Sequence, residues 1–382
     1  MRHVIAAILM ASAFGSMACT ADEPKPVATK PAEPKAEAKP ALGIGDKAPP
    51  LKVTKWLQGE EIKEFAAGKV YVVEFWATWC GPCIQAMPHL VELQEEFKKD
   101  LVVIGLTSKD ERGNTKEKVE AFVAKNKDKF TYRFAFCDDR DTDKAYMEAA
   151  QQDGIPCSFV VDKSGKIAYI GHPMELDLVL PKVIDGTWKG KADVDAIAKA
   201  NETLDKINEA ANPEPTKEMP KGSPQLIEAE KRAAEAALPK LAEFEKANPI
   251  KAGQDMFNIQ KMVLMMKAKK YDDAKVVGEA MLAKSAAKKK VLPGNYTGMI
   301  LASKELNPDK KFLDLATKSL DTVLAFEPKD VGLLLASIEL QMFIGDKAKA
   351  AEYGKKAVEA SDEKDKKEVE KIVEMLLKGT EK

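Results

Sequence analysis

The 382-residue chain has no surplus of charge of either sign, with 60 Lys and Arg against 61 Asp and Glu. Nothing in its bulk composition therefore draws it to nucleic acid or to an anionic membrane. It also lacks an apolar run of the length that spans a bilayer, about 20 residues. The N-terminal stretch Val4 to Phe14 is too short and no later stretch qualifies, which excludes a multispan membrane protein. Cysteine is scarce, at five residues. The one Cys-x-x-Cys pair, Cys80 and Cys83, has no second pair at the spacing a zinc site needs, and Ile84 stands where haem attachment requires His. The Pro-x-x-x-Thr-x-x-Cys pattern of thiol peroxidases is missing as well.

What is present begins with an export signal. Arg2 precedes the short apolar run, and small residues lead to Ser16-Met17-Ala18-Cys19. Cleavage after residue 18 fits either an ordinary small-x-small site or a bacterial lipoprotein with lipid on Cys19. Ser16 departs from the Leu-like residue usual three positions before a lipidated Cys. Residues 19–42, rich in Pro, Ala, Lys and Glu, cannot bury a core and are expected to stay extended. At about 3.1 Å per residue such a tether reaches up to roughly 70 Å. The expected location is the periplasm or outer cell envelope, with membrane attachment only through a lipid on Cys19.

A chain this long exceeds one ordinary core, so two folded units are expected. In residues 43–190, the β-branched run Val70 to Phe75 is followed by Trp79-Cys80-Gly81-Pro82-Cys83 and then by an amphipathic helical pattern. Further strands are predicted at Leu101–Leu106, Tyr132–Phe136, Ser158–Val161 and Lys166–Ile170, with helices at 115–127 and 141–152. The last two strands flank the turn Asp162-Lys163-Ser164-Gly165 and form a hairpin. This order implies an α/β fold, a mixed sheet with helices on both faces.

A cysteine at a helix N-terminus faces unpaired backbone N–H groups and the positive end of the dipole, which favour thiolate. Cys80 is thus the candidate nucleophile and Cys83, one turn on, the resolving thiol. Lowering a thiol pKa from about 8.5 to about 7 is worth roughly 2 kcal/mol and raises the thiolate fraction at neutral pH from a few per cent to about half. Pro82 suits the first turn because it needs no N–H there. Redox exchange through the cysteine pair itself is expected, with no other cofactor.

The segments GDKAP (45–49), GKVYVVEFWATWCGPC (68–83) and GIPCSFVVDKSGKI (154–167) resemble the TlpA/ResA type of membrane-tethered, thioredoxin-like reductase. The resemblance spans residue 43 to about 180. It implies a thioredoxin fold, a cis Pro156 whose neighbouring backbone docks an extended substrate, and a buried acid at Glu74 that takes the proton of the resolving cysteine. The alternative for Glu74 is a solvent-facing strand residue. The implied partners are protein disulfide substrates and an upstream thiol electron donor. The Gly-Pro turn matches thioredoxin, near about −270 mV, and makes reduction the expected direction. Two departures are Cys157, where a Thr usually follows the cis proline, and Cys137; both are expected near the active site. They are read as a second disulfide, as inert buried thiols, or as a Cys157 that exchanges with the active pair.

From Asp193 onward Ala-rich amphipathic patterns replace the β signal, so the rest is expected to be all helical: helix and linker at 191–224, then a helical domain at 225–382. Its helix-turn junctions resemble tetratricopeptide repeats. Ala316 and Ala350 lie 34 apart, the period of that repeat, whereas the longer Ala274–Ala316 spacing implies an insertion around Lys288–Gly294. Such a solenoid offers a concave surface for a peptide or protein ligand. The rival to an exchange enzyme is an adaptor in which the helical repeats bind a partner and the redoxin module plays a minor catalytic role.

Overall fold

The computed structural model describes residues 41–363 and 365–378. The expected export signal, most of the tether and Cys19 lie outside the described residues. The chain folds as two units that divide between Lys199 and Ala200.

The first unit is built on a six-stranded sheet: β1 (Lys55–Gln58), β2 (Val70–Phe75), β3 (Leu101–Ser108), β4 (Arg133–Cys137), β5 (Cys157–Val161) and β6 (Ile167–Gly171). The spatial order is β1-β4-β3-β2-β5-β6; β2, β3 and β4 run parallel, and β1, β5 and β6 are antiparallel to their neighbours. Parallel strands need crossovers, supplied by α1 (Gly81–Glu96) between β2 and β3 and α2 (Lys116–Asn126) between β3 and β4. α3 (Leu176–Asp185) follows β6. This is the thioredoxin fold, a mixed sheet with helices on both faces.

All six residues of β2 are buried because the strand is central and covered on both sides. Alternation sends Val70, Val72 and Trp76 into one core with Cys80, Cys83 and Leu90, and Tyr71, Val73 and Phe75 into the other with Tyr146, Cys157 and Phe159. Glu74 alternates with the first set and faces the cysteine side. In the β5–β6 turn, Asp162 Oδ1 accepts from the backbone of Ser164 (2.8 Å) and Lys166 (3.0 Å), and Gly165 takes φ 79°.

Two elements differ from expectation. β1 was not foreseen: it is a four-residue edge strand, KWLQ, half-exposed along its length and paired on one side only. The helix expected over 141–152 is a short turn, Asp141–Asp143, running into a wide π-turn, Lys144–Glu148.

The second unit is all helical. After α4 (Lys191–Ala211) and α5 (Pro224–Ala247) come α6 (Asp255–Lys267), α7 (Tyr271–Lys288), α8 (Val291–Ala302), α9 (Leu313–Leu324), α10 (Val331–Ile344), α11 (Lys347–Ala360) and α12 (Lys366–Lys378). α6/α7, α8/α9 and α10/α11 form successive pairs, and the first helices of the pairs stack, α6 on α8 on α10. Ala274, Ala316 and Ala350 are each the fourth residue of a pair's second helix and are fully buried, as close helix approach requires. The insertion is misplaced in the sequence reading: residues 288–294 end α7 and begin α8. The extra length lies chiefly in the connection 303–312, against 345–346 at the equivalent junction. Buried Asn307 organises that connection. Its amide donates to the carbonyls of Leu301 (2.7 Å) and Lys311 (2.8 Å), and its oxygen accepts from Lys311 N (2.8 Å). Among the described residues no helix is long and apolar enough to cross a membrane.

Candidate active site

β2 ends at Phe75, and a tight turn carries the chain to α1. Cys80 is the N-cap of α1, in extended conformation (φ −84°, ψ 93°), and its Sγ accepts the Cys83 N–H at 3.2 Å. One orphan donor of the helix start is thus aimed at the sulfur, in the position to stabilise negative charge on it. Cys80 and Cys83 form a disulfide with Cα atoms 5.3 Å apart, so both sulfurs are within bonding reach across one helical turn. Both are buried, Cys80 at 4% exposure. Pro82 occupies the first turn, where its missing N–H costs nothing.

The Ile155–Pro156 bond is cis, and the Ile155 carbonyl oxygen lies 3.8 Å from Cys80 Sγ. The backbone before Pro156 therefore borders Cys80. Beside it, Trp79 is 40% exposed; its Nε1 donates to Asp110 Oδ2 at 2.7 Å, and the Arg112 guanidinium lies 4.5 Å from the ring centre.

Glu74 sits mid-strand in β2, paired with Gly105 and Ser158, at 3% exposure. It is not the solvent-facing residue of the alternative reading. The Ser158 hydroxyl donates to its Oε2, whereas Oε1 is buried with no partner among the described residues. Burial pushes its pKa up to about 8, and the Ser158 hydrogen bond only partly opposes that. Burial, and secondarily the charge of Glu74, raises the Tyr132 phenol above its ordinary value.

The Cys137–Cys157 disulfide is corrected by the sheet order. Cys137 ends β4 and Cys157 begins β5, with β3 and β2 between them, so the two are about 14 Å apart at about 4.8 Å per strand, twice the reach of a disulfide. Both are free and buried. Nor is Cys157 placed for exchange: its side chain belongs to the core on the opposite sheet face from Cys80 and Cys83. Burial pushes Cys157 up to about 12 and Cys137 up to about 11; Cys137 Sγ lies 3.0 Å from the Lys52 carbonyl oxygen. They behave as small apolar residues.

The sequence reading missed Asp110, Arg112 and Asn114, all in the connection between β3 and α2. Nothing in their spacing marks them, since a charged loop ordinarily reads as solvated surface. Only the crossover brings them against Thr78 and Trp79.

Residues 44–170 match the AhpC/TSA family. Over 153 residues the chain is 36% identical to Protein FixW of Rhizobium leguminosarum, covering 39% of this chain and 69% of that protein. Thiol-disulfide oxidoreductase ResA of Bacillus cereus (strain ZK / E33L) is 32% identical over 130 residues, 34% of this chain and 69% of that one. Among solved structures, a thiol-disulfide isomerase from Corynebacterium glutamicum is 24% identical and covers 37% of this chain and 97% of its own, with a TM-score of 0.31. Through residues 44–170 the chain belongs to the AhpC/TSA family, as a thioredoxin-like thiol-disulfide oxidoreductase.

Proposed function

We propose that the protein reduces disulfides of exported proteins in the cell envelope, and that Cys80 is the attacking sulfur. The observation that carries this is Cys80 at the N-cap of α1 with its Sγ on the Cys83 N–H. The Cys80 thiolate attacks a substrate disulfide, forming a mixed disulfide and releasing one substrate thiolate. Glu74, a carboxylate at neutral pH in only a minor fraction, accepts the proton of Cys83. The Cys83 thiolate then attacks Cys80 Sγ, the second substrate thiolate leaves, and the pair ends as a disulfide. Two electrons from an upstream thiol donor restore the dithiol. An extended substrate segment lies along the backbone preceding Pro156, with Trp79 beside it.

The export signal before Cys19 and the 19–42 composition support an envelope location with lipid on Cys19, which the intact mass of the membrane fraction tests. The stacked helix pairs with buried Ala274, Ala316 and Ala350 support a tetratricopeptide-type solenoid that selects a peptide or protein partner.

The deciding experiment is trapping with Cys83→Ser, in which the mixed disulfide on Cys80 cannot resolve. Recovery of covalent partners, absent with Cys80→Ser, supports exchange. No partner, together with no reduction of insulin by the unmodified protein, would leave the adaptor reading in its place.

A further inference from the structure

Asn114 lies in the connection between β3 and α2, among exposed and half-exposed neighbours, yet it is fully buried. It makes five hydrogen bonds. Its Oδ1 accepts from Thr78 N (2.9 Å) and Thr78 Oγ1 (2.8 Å); its Nδ2 donates to Thr107 Oγ1 (2.8 Å) and to the Ser108 carbonyl (2.7 Å); its own N–H donates to Asp110 Oδ1 (2.9 Å). Every lone pair and proton of the side-chain amide is used. A buried amide is costly unless fully paired, so a side chain placed and satisfied in this way holds its partners in fixed positions.

Two of those bonds leave the local loop for Thr78, two residues before Cys80. From the opposite side the turn is held by the Cys80 N–H, which donates to the Ala77 carbonyl at 3.0 Å, and by the start of α1. The remaining arm runs through Asp110: one carboxylate oxygen takes the Asn114 N–H and the other takes Trp79 Nε1 at 2.7 Å. One residue thus reaches both the turn before the sulfur, through its side-chain amide on Thr78, and the exposed aromatic neighbour, through its backbone N–H on Asp110.

We propose that Asn114 is a positioning residue for exchange, aligning the Thr78–Cys80 turn with the α1 N-terminus and, through Asp110, holding Trp79 against the substrate. The proposal rests on the reading of Cys80 and Cys83 as the exchange pair. Removing the amide leaves the Thr78 N–H and hydroxyl without their acceptor, so the turn can rotate and Cys80 Sγ moves off the line of the Cys83 N–H. The thiolate then loses part of its stabilisation.

The test uses the full chain, reduced and freed of reductant, and measures the rate of Cys80 alkylation by iodoacetamide against pH together with insulin reduction. Asn114→Ala is expected to raise the apparent Cys80 pKa by about one unit, which makes alkylation at pH 7 about fivefold slower and leaves it unchanged at pH 10. Its kcat/KM for insulin should fall at least as far. Thr78→Val, which removes one of the two bonds, should shift the profile part of the way, and Thr78→Ser should match the unmodified protein. If Asn114→Ala does not fold, the Thr78 pair decides. A folded Asn114→Ala, or failing that a Thr78→Val, with the unmodified pH profile overturns the proposal. Absence of insulin reduction by the unmodified protein would instead count against the exchange reading, and the alkylation profile would still decide the role of Asn114.

Discussion

Replacing Glu74 with Gln isolates the buried carboxyl. In the unfolded chain Glu74 has the ordinary value of 4.5, whereas in the folded protein burial raises it to about 8. For an acid raised on folding, the stability contribution is fully present below the unfolded pKa and is lost as pH rises through the folded one, because between the two the unfolded chain gives up its proton first. Integrating from these values, the carboxyl costs about 1 kcal/mol at pH 5, about 3 kcal/mol at pH 7 and approaches about 5 kcal/mol above pH 8. The stability of Glu74→Gln, neutral throughout, relative to the unmodified oxidised protein should therefore rise steadily from pH 5 to pH 8. Any new unpaired amide N–H subtracts about 1–3 kcal/mol equally at every pH. The assay is urea unfolding followed by tryptophan fluorescence, which reports the first unit alone because Trp56, Trp76, Trp79 and Trp188 all lie in it. In turnover the same variant should resolve the mixed disulfide about a hundredfold more slowly, since it removes a general base. A stability difference that stays flat between pH 5 and pH 8 would refute the raised acid, and unimpaired turnover would refute its use as a base.

Other outcomes follow from the same geometry. Cys137 and Cys157, raised by burial to about 11 and about 12, should resist iodoacetamide at pH 8 in the folded protein, react in guanidinium, and never appear cross-linked in peptide maps. Cys157→Thr should retain insulin reduction within about twofold, since its side chain lies across the sheet from the active pair; a large loss would return Cys157 to the chemistry. Trp79→Ala should raise KM for a protein disulfide about tenfold, equivalent to about 1.4 kcal/mol, while leaving reaction with a small aliphatic disulfide nearly unchanged. In the helical unit, a Cβ on Gly298 would stand 2.6 Å from Leu320 Cγ, so Gly298→Ala should destabilise by about 1–3 kcal/mol despite its better helix propensity. An unchanged or higher melting temperature for that unit by circular dichroism would contradict this packing.

What the amino-acid sequence determined by itself is whatever depends on neighbours along the chain. The β-branched run Val70–Phe75, the Cys-Gly-Pro-Cys turn at a helix start, the Asp162–Gly165 hairpin and the small residue four into each second helix are local signals, and their elements form where those signals stand. Glu74 was legible through the resemblance to thioredoxin-like reductases, and its apolar neighbours Val73 and Phe75 are consistent with the burial the strand gives it. Tertiary structure decided what depends on strand order and crossovers. β1 is invisible in KWLQ because an edge strand needs neither alternation nor an apolar face, only a partner in β4. The fate of Cys137 and Cys157 turned on two intervening strands, which no spacing in the chain reveals. Asn114 gains its meaning only when the β3–α2 crossover lays it against Thr78, 36 residues away in sequence, because hydrogen bonds between distant segments leave no periodic trace.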